Sequence, residues 1–143
     1  SIAVTLDWRA GTRLPGGSYL VAVRVDSDMP ADFSSPPWLE KPARKLYEIA
    51  HGTLFRFRLD HLPVNGAYGP DLWRPDEVVR ERVVLNLPAS LAPGDWRVEV
   101  RMLRQPHYPN YRLADIFYFR DYYSGPAVGT LRVEPPVATD RGH

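Results

Sequence analysis

Three linked segments decide the fold: Trp73-Arg-Pro-Asp-Glu-Val-Val79, Val83-Val-Leu-Asn-Leu-Pro88 and Leu91-Ala-Pro-Gly-Asp-Trp-Arg-Val-Glu-Val100. From Asp95 the chain alternates, with Trp96, Val98, Val100 and Met102 on one side and Arg97, Glu99, Arg101 and Leu103 on the other. That is the period-two pattern of a strand with one dry face. Pro88 has no N–H to give to a ladder, and Pro93-Gly94 sets one turn dihedral while freeing the next. Two strands joined by a Pro-Gly corner, a central hairpin, are therefore expected. Upstream, Val79 to Leu87 is rich in branched residues, but Glu81 shares the parity of Val79, Val83 and Leu85. A carboxylate in that row calls for an edge strand or for a bulge near Arg80-Glu81.

Outward from this centre, Ile2 to Trp8 alternates weakly, and the loop 11–17 precedes a strand whose Tyr19, Val21, Val23 and Val25 share one face. Residues 26–42 carry four prolines together with Phe33 and Trp38, and read as a long exposed excursion. Lys41 to Ala50 has room for a helical turn or two. Gly52 to Leu59 then sets Phe55, Phe57 and Leu59 against Leu54, Arg56 and Arg58, as a half-buried strand does. The loop His61 to Arg74 holds Asn65-Gly66, Tyr68-Gly69-Pro70 and Trp73, and Gln105 to Tyr111 is a further turn-rich link. Leu113 to Tyr123 is aromatic on both parities, and Val128 to Val133 is the last strand before Pro135-Pro136.

About seven or eight short strands separated by turn signals predict an all-β fold, an antiparallel two-sheet sandwich of immunoglobulin-like or jelly-roll-like type. One domain over residues 1–134 and a flexible C-terminal tail over 135–143 are expected. The expected core is Tyr19, Val21, Val23, Phe55, Phe57, Trp96, Val98, Val100, Phe117 and Leu131. Trp73, before Arg-Pro at a strand entry, is expected to plug one end of the sandwich.

Composition narrows the function classes. A chain of 143 residues, 44% hydrophobic, suffices for one domain with its own core. The formal net charge of +1 is spread over the strands, which gives no reason to expect nucleic acid or an anionic membrane. Sixteen of the eighteen basic residues are arginine, a bias that genomic base composition explains more simply than a phosphate site does. Cysteine is absent, which removes disulfides and thiol catalysis and is neutral on compartment. No apolar run approaches the roughly 18 residues that span a bilayer, so no direct membrane insertion is expected. The chain opens at Ser1 without a start methionine, as an excised fragment of a larger protein would.

A resemblance rests on Pro63, Asn65, Gly66, Trp73, Pro75, Glu77, Val78, Val79, Leu87, Pro88, Leu91, Pro93, Gly94, Trp96, Gly129, Leu131 and Val133. In that order they resemble the β-sandwich accessory domains at the extracytoplasmic end of bacterial polytopic glycosyltransferases, which are similar to protein mannosyltransferases and use lipid-linked sugars. The likeness covers residues 1–26 and 63–134; residues 27–62 are longer than the corresponding loop, and residues 105–123 carry aromatics in place of a simple turn. The resemblance implies a non-catalytic accessory module of a membrane-anchored glycosyltransferase or related cell-envelope protein. It further implies an extracytoplasmic location, with the remainder of the parent membrane protein or a glycan as partner. No acid residue of such an enzyme carries over onto this chain.

Enzyme signatures are missing from the pattern of residues. His51, His61, His107 and His143 are scattered, and no His-x-x-x-His pair exists to clamp a metal. Asp60-His61 is the nearest thing to a ligand pair and reads as a solvated loop pair. Asp26, Asp28 and Asp32 could suit calcium, but in a Pro/Ser-rich stretch aspartates commonly cap their own turns. Asp115 with Asp121 and Asp26 with Asp28 are the only carboxylate pairs worth weighing for hydrolysis, and Ser18, Ser90 and Ser124 lack a nucleophile-elbow context. No catalytic residue, metal site or cofactor is therefore assigned. The ligand-binding candidates are aromatic: Tyr118, Arg120 and Tyr122 as an outward row, with Tyr108, Tyr111 and Trp38 in loops beside it, flat rings suited to the C–H faces of sugars. A carbohydrate-binding module of a secreted enzyme or adhesin is the alternative function.

Overall fold

The computed structural model describes residues 1–104 and 125–135. Six strands lie among them, fewer than the seven or eight expected: β1 (Ile2–Arg9), β2 (Tyr19–Ser27), β3 (Arg56–His61), β4 (Val78–Leu85), β5 (Gly94–Arg104) and β6 (Ala127–Val133). One helix, α1 (Glu40–His51), interrupts them. All strand pairs are antiparallel: β1 pairs with β4 in one sheet, and the other runs in the order β3-β2-β5-β6.

Both sheets contribute to one hydrophobic core. Leu6, Val83 and Leu85 come from the two-stranded sheet, and Val21, Val23, Val25, Trp96, Val98 and Val100 from the four-stranded one. Of the expected core, Tyr19, Val21, Val23, Phe55, Trp96, Val98 and Val100 are buried, and the partly buried Phe57 and Leu131 pack against the core; Phe117 lies outside the described residues. Trp96 donates its indole N–H to the Ala92 carbonyl at 2.9 Å, so its one polar atom is satisfied inside the core. Trp73 anchors a second, smaller cluster with Ala10 and Val79.

The Leu87 to Gly94 corner is not a hairpin. β4 and β5 belong to different sheets, so the chain crosses from one to the other here, and Leu54 is pinned beside it by bonds to Ser90 and Ala92. Gly94 opens β5 at φ 130, which only glycine adopts freely. Glu81 needs no bulge: β4 keeps an unbroken register with β1, from Ile2 opposite Leu85 to Arg9 opposite Val78. Among the described residues β4 pairs only with β1, which is the edge alternative, and the inward carboxylate is met by polar partners.

α1 is longer than the turn or two expected. Pro42 falls in its first turn, where a backbone N–H has no intrahelical partner to lose. Gly52 closes it in the left-handed conformation, with Gly52 N–H bonded to Ile49 O and Thr53 N–H to Glu48 O, the paired bonds of a glycine C-cap. The 26–42 segment is likewise only partly an excursion, because β2 continues through Ser27 and α1 begins at Glu40.

Candidate functional site

β2 is buried on both sides, and its two sides differ in chemistry. Val21, Val23 and Val25 enter the core, while Ala22, Arg24 and Asp26, on the opposite parity, are also buried. Strand register places Arg56 and Arg97 on either side of Asp26, and Arg58 and Glu99 on either side of Arg24. The outer face of the four-stranded sheet is therefore a lattice of charges with Asp26 among arginines.

Asp26 binds three guanidinium groups. Its Oδ1 accepts from Arg44 Nη2 at 2.8 Å and from Arg56 Nε at 3.1 Å, and its Oδ2 from Arg24 Nη2 at 2.6 Å and Arg56 Nη2 at 3.1 Å. Four bonds engage essentially every lone pair of a carboxylate. Arg44 reaches this point from α1 and also donates to the carbonyls of Ser27 and Phe55. Glu48, one turn further along α1, accepts the Phe55 N–H at 3.0 Å and lies 3.8 Å from Arg44. The helix is thus riveted to the sheet by charges, beside the apolar contact that Tyr47 makes with Phe55 and the core.

These contacts set the protonation of the cluster. Burial alone pushes the Asp26 carboxyl up, but the guanidiniums of Arg56, Arg44 and Arg24 outweigh it and hold the group below its ordinary value of 3.8. A carboxylate so held, with its acceptor sites filled, is a poor general base. Burial lowers the pKa of Arg44, Arg56 adds repulsion, and Asp26 and Glu48 oppose both.

Above the cluster opens a cleft of about 540 Å³. Its floor is Arg24, Asp26, Arg44 and Arg56; its walls are 27–29, 33–35, Pro37 and Glu40; and Arg97 stands at its rim. Four arginines against Asp26, Asp28 and Glu40 leave a net of one positive charge on the lining. The hydroxyl of Ser35 is buried in the wall without a hydrogen-bond partner. Arg97 is 58% exposed, and its contact to Asp28 spans 3.7 Å, so this guanidinium is loosely held. Arg97 and, at 32% exposure, Arg56 are the guanidiniums open to solvent here, while Arg24 and Arg44 are buried against Asp26. The cleft is built to receive oxygen acceptors, and among the described residues it holds no nucleophile paired with a base.

A second polar centre lies on the core side of the sheets. Glu81 accepts from the Trp8 indole at 2.8 Å and from the Val64 N–H at 2.6 Å, and its Oε1 lies 3.3 Å from His61 Nε2. Burial would raise its pKa, but the bonds from His61, Val64 and Trp8 hold it below 4.5. The Val64 bond helps hold that β-branched residue at φ 51, a backbone region it rarely occupies. This centre ties β1, β3, β4 and Val64 together and reads as an internal brace.

Several expectations change here. Asp60 and His61 are not a loop pair: both lie in β3, on opposite faces, with Asp60 bound to Arg58 and His61 beside Glu81, so they cannot share a cation. Asp26 is no turn cap but the hub of a buried cluster, while Asp28 stays 96% exposed. No group of three His, Cys, Asp or Glu side chains able to hold a metal occurs among the described residues. Trp38 lies on a 3₁₀ turn (Pro37–Leu39) directly after the cleft-lining Pro37 and is 74% exposed. Tyr108, Tyr111, Tyr118, Arg120 and Tyr122 lie outside the described residues, as do Asp115, Asp121, Ser124, His107 and His143. The cluster itself left two traces in the sequence: Arg24 and Asp26 alternate with the valines of β2, and Arg44 and Glu48 stand four apart on α1.

Fold and site together define a β-rich domain of two antiparallel sheets carrying a polar, arginine-floored cleft. No protein-family model, curated protein or solved structure matches the chain.

Proposed function

We propose that this chain is a non-catalytic accessory module of a membrane-anchored glycosyltransferase or related cell-envelope protein. In this reading it is an extracytoplasmic immunoglobulin-like or jelly-roll-like sandwich, and its working surface is the arginine-floored cleft. One observation carries the assignment of the surface: an open space lined by four arginines, of which Arg97 is well exposed, with an unpartnered Ser35 hydroxyl in its wall. Such a lining selects a carboxylate or phosphate group on the partner, because an exposed guanidinium such as that of Arg97 offers paired N–H donors to a planar or tetrahedral oxyanion. With Asp26 already meeting much of the positive charge, affinity for a small anion is expected to be weak, near the millimolar range.

The test is a titration at constant ionic strength with inorganic phosphate, glucuronate and glucose, followed through arginine side-chain resonances. Arg56 and Arg97 should shift with the two anions and stay still with glucose, and Arg97→Ala should weaken the response several-fold. Silence of both resonances toward both anions would overturn the cleft assignment. The accessory role is tested separately by the full reading frame, where many membrane-spanning segments upstream of Ser1 are expected.

The alternative, a carbohydrate-binding module, is favoured by the exposed Trp38 beside the cleft, since an indole face next to hydrogen-bonding groups suits a sugar ring. Micromolar binding of a neutral oligosaccharide lost on Trp38→Ala would select it.

A further inference from the structure

The lining of the cleft offers more than positive charge. Strand register sets Arg56 and Arg97 on either side of Asp26, and these are its two solvent-reachable guanidiniums. Beside these donors stand acceptors: the carboxylate of Asp28 is 96% exposed, and Glu40, at the start of α1, is exposed as well. An ionised carboxylate can only accept, so both look for hydroxyl or N–H hydrogens on whatever fills the space. The exposed Ser34 adds a hydroxyl that can donate or accept. A ring completes the wall. Phe33 lines the cleft and packs edge-on against Tyr47 with 5.6 Å between ring centroids, which limits its freedom before any guest arrives.

We propose that the cleft takes a sugar acid of the hexuronate kind, a pyranose ring with one carboxylate and several hydroxyls. This rests on the cleft being the working surface, and says which oxyanion it prefers and on what scaffold. Four arginines against Asp26, Asp28 and Glu40 leave one positive charge, which a single carboxylate balances. A phosphate dianion overshoots that balance and meets Asp28 and Glu40 as like charges. In a uronate the carboxylate pairs with Arg97, ring hydroxyls donate to Asp28 and Glu40, and a C–H face of the ring lies against Phe33. Size agrees: about 540 Å³ falls within the roughly 300–1,000 Å³ of small-molecule sites, and a bare oxyanion would leave most of it to water. An uncharged sugar leaves Arg97 without an anion, and a carboxylate without a ring leaves Asp28, Glu40 and Phe33 without guests.

The experiment titrates the 143-residue chain, at constant ionic strength and mildly alkaline pH, with glucuronate, acetate, glucose and inorganic phosphate, following the side-chain resonances of Arg97 and Phe33. Glucuronate should bind about tenfold more tightly than each of the other three, and it alone should shift both residues. Asp28→Asn with Glu40→Gln removes two exposed carboxylates and should lower the preference for glucuronate over phosphate about tenfold. Phe33→Leu should bring glucuronate toward acetate; since Phe33 also packs on Tyr47, the exposed double variant carries the test if that substitution disturbs the fold. Acetate or glucose binding as tightly as glucuronate, or phosphate binding more tightly, would overturn the sugar-acid assignment while leaving the cleft a binding surface. Silence of Arg97 toward every anion would overturn the cleft reading itself, and this proposal with it.

Discussion

Arg44 of α1 and Asp26 of β2 stand 18 positions apart and meet at 2.8 Å, with both side chains buried. The pair joins the one α-helix of the described residues to β2; Arg44 Nη2 also approaches the carbonyls of Ser27 and Phe55, while its buried Nε lies 3.8 Å from Glu48.

Asp26→Asn should be among the most damaging substitutions in the chain. It removes the shared counter-charge of three guanidiniums, and breaking a buried pair from one side costs about 3–5 kcal/mol. Arg44→Met should cost less, because Asp26 keeps Arg24 and Arg56. Urea denaturation of both single variants and the double variant checks the order; a midpoint for Asp26→Asn equal to wild type would refute the structural role given to the cluster.

Trp96→Ala should cost about 3–5 kcal/mol through the cavity it leaves. The residue is 1% exposed and shares the core with valines of both neighbouring strands. Thermal unfolding measures the loss, and an unchanged melting point would contradict the shared core.

Acid should weaken the fold in a defined window. Asp26 and Glu81 are both held below their ordinary values of 3.8 and 4.5, so the unfolded chain binds more protons than the folded one as pH falls. Their contribution is complete above those values and is lost as pH drops through the lower folded ones. Stability followed from about pH 6 to pH 3 should decline along this line, and Glu81→Gln should make the decline shallower.

Gly94→Ala tests the corner between the sheets. An added Cβ meets nothing within 4 Å, so any cost arises from the backbone at φ 130, of the order of 1–3 kcal/mol. A neutral result by denaturation would show that the corner relaxes.

Chelator should leave the melting temperature where it is. The chain has no cysteine, and Asp26 already satisfies its oxygens with arginine. A fall restored by calcium would return the 26–32 stretch to consideration as a cation site.

What could be read in advance follows from how far each signal reaches along the chain. The alternation around Trp96 and Val21 is local, and it placed both strands and most of their buried residues. The sequence shows little of α1 because Pro42 looks like a breaker unless its place in the first turn is known, and because Leu46 and Ile49 give no core-facing stripe. Asp26 was read as a turn cap because its neighbours are Ser and Pro, whereas its partners Arg44 and Arg56 lie 18 and 30 positions away. Pairing over such distances depends on strand register, which no single window reveals. Glu81 gave half a warning: its parity announced an inward carboxylate, but not that Trp8 and Val64 would meet it.

A strand covered on both sides by unlike material carries its own ruler. Were β2 to slide by one residue against β3 and β5, Arg24 and Asp26 would turn among Val83, Leu85 and Trp96, and the valines would face a nest of guanidiniums. Either error strands charge in hydrocarbon. Misaligned pairings of the central strand are thereby penalised, so that the charged rivets at the helix help the sheet index itself.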